Sequence, residues 1–145
     1  MLLMLSMQTV KPTLALIVCG DREAKYNSWS NAITYCLKYL QERYIIVRMW
    51  HGDCRGIDKI AGYIAHLNNI PVQAVPADWC QGRKAGPMRN KLMLKHLEEI
   101  KTDCKLVIAF HPDIHSSRGS ANMINQIQKK NITTWIIDGK ELVKY

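Results

Sequence analysis

This 145-residue chain has no cysteine pair of the CxxC kind, and its cysteine count is odd. Cys19, Cys36, Cys54, Cys80 and Cys104 are scattered through the sequence. That spacing argues against a disulfide framework and a zinc site, and for free thiols in a reducing compartment. Nor do His51, His111 and His115 have a carboxylate or cysteine at metal spacing, so no metal is expected. Long apolar runs are missing too. The opening MLLMLSM is too short to span a bilayer, and it lacks the basic start and small-residue cleavage site of a signal peptide. No membrane partner follows, and the expected location is the cytoplasm, or a host cytoplasm for a viral chain. No linker, low-complexity tract or charge block divides the sequence. The expectation is one domain over residues 1–145, with 1–13 as an N-terminal extension and 138–145 as a tail. Acid is in short supply: 12 Asp and Glu against 20 Lys and Arg leave a net charge of +8. A basic chain favours anionic partners, although solubilising surface charge gives the same total. Apolar content of 48% with 22% charge excludes a disordered chain.

The sequence then supplies an alternating pattern. LALIVC (14–19), closed by Gly20, reads as a strand buried on both faces. SWSNAITYCLKYLQER spaces Trp29, Ile33, Cys36, Leu37 and Leu40 as one face of a helix, with Ser28 as its N-cap. YIIVRMW, PVQAVPA, CKLVIAFH and TTWIID read as further strands. IDKIAGYIAHLNN, RNKLMLKHLEEI and SANMINQIQKK read as helices, and GKELVKY as a tail or short terminal helix. Strand and helix in strict alternation select an α/β fold: a Rossmann-like doubly wound parallel sheet of about five strands in three layers.

In such a sheet the loops leaving the strand C-termini share one edge, where ligands bind. Here each carries glycine with arginine. The first brings Gly20 and Arg22; the second Gly52, Asp53, Arg55, Gly56 and Asp58. The third, DWCQGRKAGPMRN, brings Asp78, Trp79, Arg83, Lys84, Gly86, Arg89 and Asn90. The fourth brings Arg118, Gly119 and Ser120. Glycine lets backbone approach a ligand, the helix behind offers free N–H groups, and arginine suits phosphate. Taken one at a time, these residues have plainer roles. Asp58 could cap its helix, Asp53 could bond within its turn, and Trp79 is either a core plug or a face for stacking on a base. Cys54 and Cys80 lie in these loops as well, but without a histidine partner in sequence they read as filler.

VCGDRE, HGDCRGIDKIA, PADWCQGRKAGPMRNKLML and LVIAFHPDIHSSRGSANM follow in the order and spacing of a known family. The chain resembles the YspA/cpYpsA-related SLOG family, over about residues 14–137. This is a Rossmann-like branch of the superfamily that includes DprA and the "lonely guy" phosphoribohydrolases. The resemblance implies a nucleotide-derived ligand at the strand edge and a homodimer or higher oligomer. It departs from the lonely guy PGGxGTxxE loop at SSRGSANM: Ser117 stands for a glycine, Ser120 for the threonine and Met123 for the catalytic glutamate. Arg89 matches an arginine those enzymes keep before their third helix.

Three functions follow. The first is a sensor or sequestering protein for a nucleotide-derived phosphate ligand, with no cofactor required. The second is an N-glycosidic nucleotide hydrolase, with Arg89 positioning phosphate and Asp53, Asp58 or Asp78 substituting for the absent glutamate. An oxocarbenium-like transition state needs such a carboxylate, but one beside arginines is expected to stay ionised, which suits a general acid poorly. The third is a DprA-like nucleic-acid binder, placed last because the excess charge gathers in loops with no long basic helix.

Overall fold

The computed structural model describes residues 10–139. The expectations for MLLMLSM and for the end of GKELVKY lie outside those residues. Five strands, β1 (Thr13–Gly20), β2 (Ile45–His51), β3 (Val72–Ala74), β4 (Cys104–Phe110) and β5 (Thr133–Ile137), form one sheet in the order β3-β2-β1-β4-β5. Every neighbouring pair is parallel. Helices α1 (Tyr26–Arg43), α2 (Ile57–Leu67), α3 (Ala85–Glu99) and α4 (Arg118–Gln128) connect them. This is the doubly wound, Rossmann-like α/β arrangement, and its order reverses between β1 and β4.

β1 is central because it is apolar on both faces. Leu14, Leu16 and Val18 face a core with Ile33, Leu37 and Leu40 of α1 and Ala61 and Ile64 of α2. Ala15 and Ile17 face the other way, onto Met93, Leu94 and Leu97 of α3 and Met123 and Ile127 of α4. The period-two alternation of a strand thus feeds two helical layers. Truncating a fully buried side chain such as Leu37 is expected to cost about 2–5 kcal/mol.

Several boundaries differ from those read in the sequence. α1 begins at Tyr26, capped by Lys25 without a side-chain bond, so Ser28 lies inside the first turn and is not the N-cap. β3 shrinks to three residues because Pro71 and Pro76 flank it without N–H groups, and it meets only Met49, Trp50 and His51 of β2. α3 starts at Ala85, ahead of Gly86 and Pro87, directly after a tight turn of helix over Trp79–Lys84. That turn is broken at Gly82, whose φ of +71° only glycine adopts without strain. α4 starts at Arg118, two residues before Ser120, because the Ser117 hydroxyl accepts from the Ser120 N–H at 3.2 Å and caps the first turn.

Candidate anion-binding site

The strand C-termini deliver the four loops to one edge, and backbone bonds tie them together. Ile57 N–H, the first of α2, donates to the Asp21 carbonyl at 3.0 Å, and Asp21 N–H donates to Phe110 carbonyl at 3.0 Å. Glycine is required where these segments touch. A Cβ on Gly20 would stand 2.1 Å from the Phe110 carbonyl oxygen, and one on Gly56 2.2 Å from that of Asp21. The first and second loops are therefore held in contact over the switch point.

Beneath them lies a narrow throat of about 30 Å³. That volume holds roughly two water molecules. Its walls come from the end of β1 (Cys19, Gly20), the second loop (Cys54, Asp58), α3 (Arg89, Asn90, Met93) and the start of α4 (Ser117, Gly119, Ser120), with Arg22 at the mouth. An open hollow of about 510 Å³ adjoins it, lined by Glu23, His111, Pro112 and Arg118 among others. Arg22, Ser117 and Gly119 belong to both walls. The hollow lies within the size range of small-ligand pockets, and the throat is an extension of it large enough for a compact group.

Arg89 is the most buried cation among the described residues. It is 7% exposed, and its Nε donates to Asn90 Oδ1 at 3.0 Å. Nη1 donates to the Gly52 carbonyl, and both terminal nitrogens lie 3.8 Å from Cys54 Sγ. Among the described residues no carboxylate comes within ion-pairing distance of it. Asn90 extends the contact network by donating to Gly119 carbonyl and Asn122 Oδ1, each at 3.2 Å. The α3 arginine is thereby linked to the N-terminus of α4, whose first N–H groups carry partial positive charge.

Asp58 is the only carboxylate of the throat. It is 5% exposed and accepts the Cys54 N–H at Oδ2, 3.1 Å. It therefore braces its own preceding loop and does not cap α2. Burial raises its pKa from 3.8 to about 6, against the lowering pull of the Cys54 N–H and of Arg89. Desolvation thus outweighs the neighbouring cations in setting its pKa, while at neutral pH the carboxyl is still mostly ionised. Burial likewise pushes the Cys19 thiol up to about 12, so it is no thiolate at neutral pH. His51 is held below its ordinary 6.5 by burial first, and its Nδ1 accepts the Asp53 N–H at 3.0 Å.

Of the residues singled out from sequence, the throat brings together Gly20, Arg22, Asp58, Arg89, Asn90, Gly119 and Ser120, and Arg118 lines the hollow. Others stand aside. Gly52 contributes its carbonyl to Arg89, and a Cβ there would lie 2.2 Å from the guanidinium. Asp53 pairs with Lys59 at 2.5 Å, and exposed Arg55 pairs with Glu23. Asp78 accepts the Cys80 N–H at 3.1 Å and begins the tight turn. Lys84 is exposed, Gly86 is half-buried, and neither lines the throat. Trp79 is 57% exposed, which rules out a core plug; the Arg22 guanidinium sits 5.7 Å from its ring centre. Met123 is fully buried in the apolar core and does not line the throat. Sequence reasoning missed the throat positions of Cys19, Cys54, Met93 and Ser117. The signal for Ser117 was present, since a serine three residues before a helical serine is a capping pattern.

A five-stranded Rossmann-like sheet with an arginine-centred cleft at its switch point is the class that fold and site define. Among solved structures the chain is similar to DNA processing protein A (DprA) from Streptococcus pneumoniae, at 14% identity and a TM-score of 0.43. The match covers 93% of this chain and 62% of that one, so the chain spans less than two thirds of that protein's length. No family model matches the sequence, and no curated protein matches it. Among the described residues no cluster could hold a metal ion, and no helix is long and apolar enough to cross a membrane.

Proposed function

We propose that the chain binds a nucleotide or nucleotide-derived phosphate ligand at this edge, as a sensor or sequestering protein of the YspA/cpYpsA-related SLOG family. The observation that carries the reading is Arg89. It is a buried guanidinium with no carboxylate partner among the described residues, linked through Asn90 to the N-terminus of α4. A buried charge is costly unless paired, and Asp58, the one carboxylate lining the throat among the described residues, makes no ion pair with it. A phosphoryl group supplies the missing counter-charge. The throat suits that group and the wider hollow suits the sugar and base, with Arg22 at the mouth and Trp79 behind it as a stacking face. A homodimer or higher oligomer in the cytoplasm belongs to the same proposal.

Calorimetry of the full chain against nucleoside mono-, di- and cyclic phosphates tests it. Binding that disappears in Arg89→Ala supports the reading; no heat with any nucleotide at millimolar concentration, from folded protein, overturns it. One observation favours a second reading as an N-glycosidic hydrolase: Asp58 carries a proton well above the ordinary carboxylate range, as a general acid must. Free base released from a nucleoside monophosphate by the wild type and not by Asp58→Asn supports it. Equal, trace release from both eliminates it.

A further inference from the structure

A second surface lies on α3, away from the throat. Between Trp79 and Leu97 the sequence has no acidic residue. Lys84 at the start of α3, then Met88, Lys91, Leu92 and Lys95 on the helix, are all exposed. At 3.6 residues per turn they fall within an arc of about 100° on one side of the helix. Met88 is 51% and Leu92 45% exposed, one turn apart. The opposite side of α3 is committed to the core through Met93, Leu94 and Leu97. None of the three lysines forms an ion pair among the described residues, whereas Glu98, at the helix end, is taken by Lys130 at 2.6 Å.

We propose that this face of α3 docks an acidic amphipathic helix of a protein partner. Charge complementarity selects the sign: among the described residues the strip offers three cations outside any ion pair and no anion. Its width selects the shape. Two apolar side chains one turn apart, flanked by lysines, match the narrow apolar stripe of one helix flanked by carboxylates. A second copy of the same face would oppose lysine to lysine, which is unfavourable. A nucleic-acid strand would lay its phosphates over Met88 and Leu92, and α3 carries no Phe, Tyr or Trp for a base to stack on. A bilayer surface needs a broader apolar face than two side chains provide. Met88 and Leu92 line neither throat nor hollow, so the docking face stands independently of the ligand reading.

The test is fluorescence anisotropy with the full chain and a labelled, helix-stapled synthetic peptide carrying leucine on one face and glutamate on its flanks. A scrambled peptide of the same composition is the control. Binding of the stapled peptide is expected, weakened roughly tenfold or more by Met88→Ser/Leu92→Ser and lost in Lys91→Glu/Lys95→Glu. All these side chains are exposed, so thermal midpoints should match wild type, and a nucleotide titration should be unchanged. Several results overturn the proposal. They are no binding at millimolar peptide, equal binding of the scrambled peptide, wild-type affinity in the serine pair, and Lys91/Lys95-dependent binding of oligothymidine or phosphatidylserine vesicles in place of the peptide. A self-association that the serine pair abolishes would assign the face to a second copy and overturn it as well.

Discussion

Asp58→Asn separates the electrostatics of the throat from its shape. The folded chain holds the Asp58 proton up to about pH 6, whereas the unfolded chain releases it near 3.8. Below about pH 4 the carboxyl is neutral in both states and costs nothing extra. Between about 4 and 6 the folded state binds more protons than the unfolded one, so stability falls as pH rises through that window. Above 6 the full cost of a buried carboxylate is present. At ~1.4 kcal/mol for each tenfold change in proton affinity, the two limits differ by roughly 3 kcal/mol. Asparagine keeps an oxygen for the Cys54 N–H and has no such window. Urea denaturation of both proteins from pH 4 to 7.5 should show the variant gaining on wild type up to about pH 6, then running parallel. His51, whose depressed pKa makes stability fall as pH drops below 6.5, is common to both and cancels. Curves that stay parallel from pH 4 upward would refute the reasoning, because Asp58 would then titrate alike in both states. Under the proposed function the same carboxylate repels a bound phosphate, so wild-type affinity should fall through pH 6 relative to Asp58→Asn. The ligand's own second ionisation near 6 affects both proteins and drops out of the ratio.

Arg89→Met should abolish nucleotide binding while leaving urea stability within about 1 kcal/mol of wild type, since an apolar side chain replaces a buried charge that lacks an ion pair. Gly20→Ala should destabilise by about 1–3 kcal/mol or more, because its Cβ meets backbone at the Phe110 carbonyl, and thermal denaturation reports it. Trp79→Ala should leave the thermal midpoint unchanged, as its ring is largely exposed, and weaken a purine nucleotide by about 1–3 kcal/mol in calorimetry if the ring stacks on the base. Cys54 should be alkylated by iodoacetamide more slowly when a nucleoside monophosphate is present, since it lines the throat, while exposed Cys80 should react at an unchanged rate.

The fold was legible because its signals are local and repeated: an apolar run at 14–18 is buried on both faces, and each helix shows its own stripe. Boundaries were misjudged where a single interaction sets them. Ser28 offered a cap the chain does not use, and Pro71 and Pro76 cut β3 short. In the site, sequence reasoning found the loops but not the ranking of their arginines. Arg22, Arg55, Arg89 and Arg118 look equivalent in GDR, DCRG, MRN and SRG. Only Arg89 projects from a helix toward the sheet, where burial isolates it, while Arg55 meets Glu23 across two loops 32 residues apart. The state of Asp58 was likewise invisible, since nearby arginines are written in the sequence and desolvation is not. The basic face of α3 was missed for a related reason. Its lysines are separated by core residues along the chain and come together only around the helix.

The distribution of charge joins the site and the docking face. The net charge of +8 reads from composition as one property, whether for solubility or for binding. In the fold it resolves into two kinds of cation with different consequences. Arg89 is buried, so its field acts in a low-dielectric throat where salt screens weakly and one phosphoryl group can outbid water. Lys84, Lys91 and Lys95 are exposed, so their attraction is screened over about 8–10 Å at physiological salt and needs the Met88–Leu92 pair for specificity. Binding at the throat should therefore lose little affinity when salt rises from low to physiological values. Docking on α3 should lose most of its association rate over the same range and keep its dissociation rate, because salt weakens steering while apolar contact sets the residence time. A nucleotide titration as salt-sensitive as the peptide's would mean that the exposed cations, and not Arg89, carry the ligand.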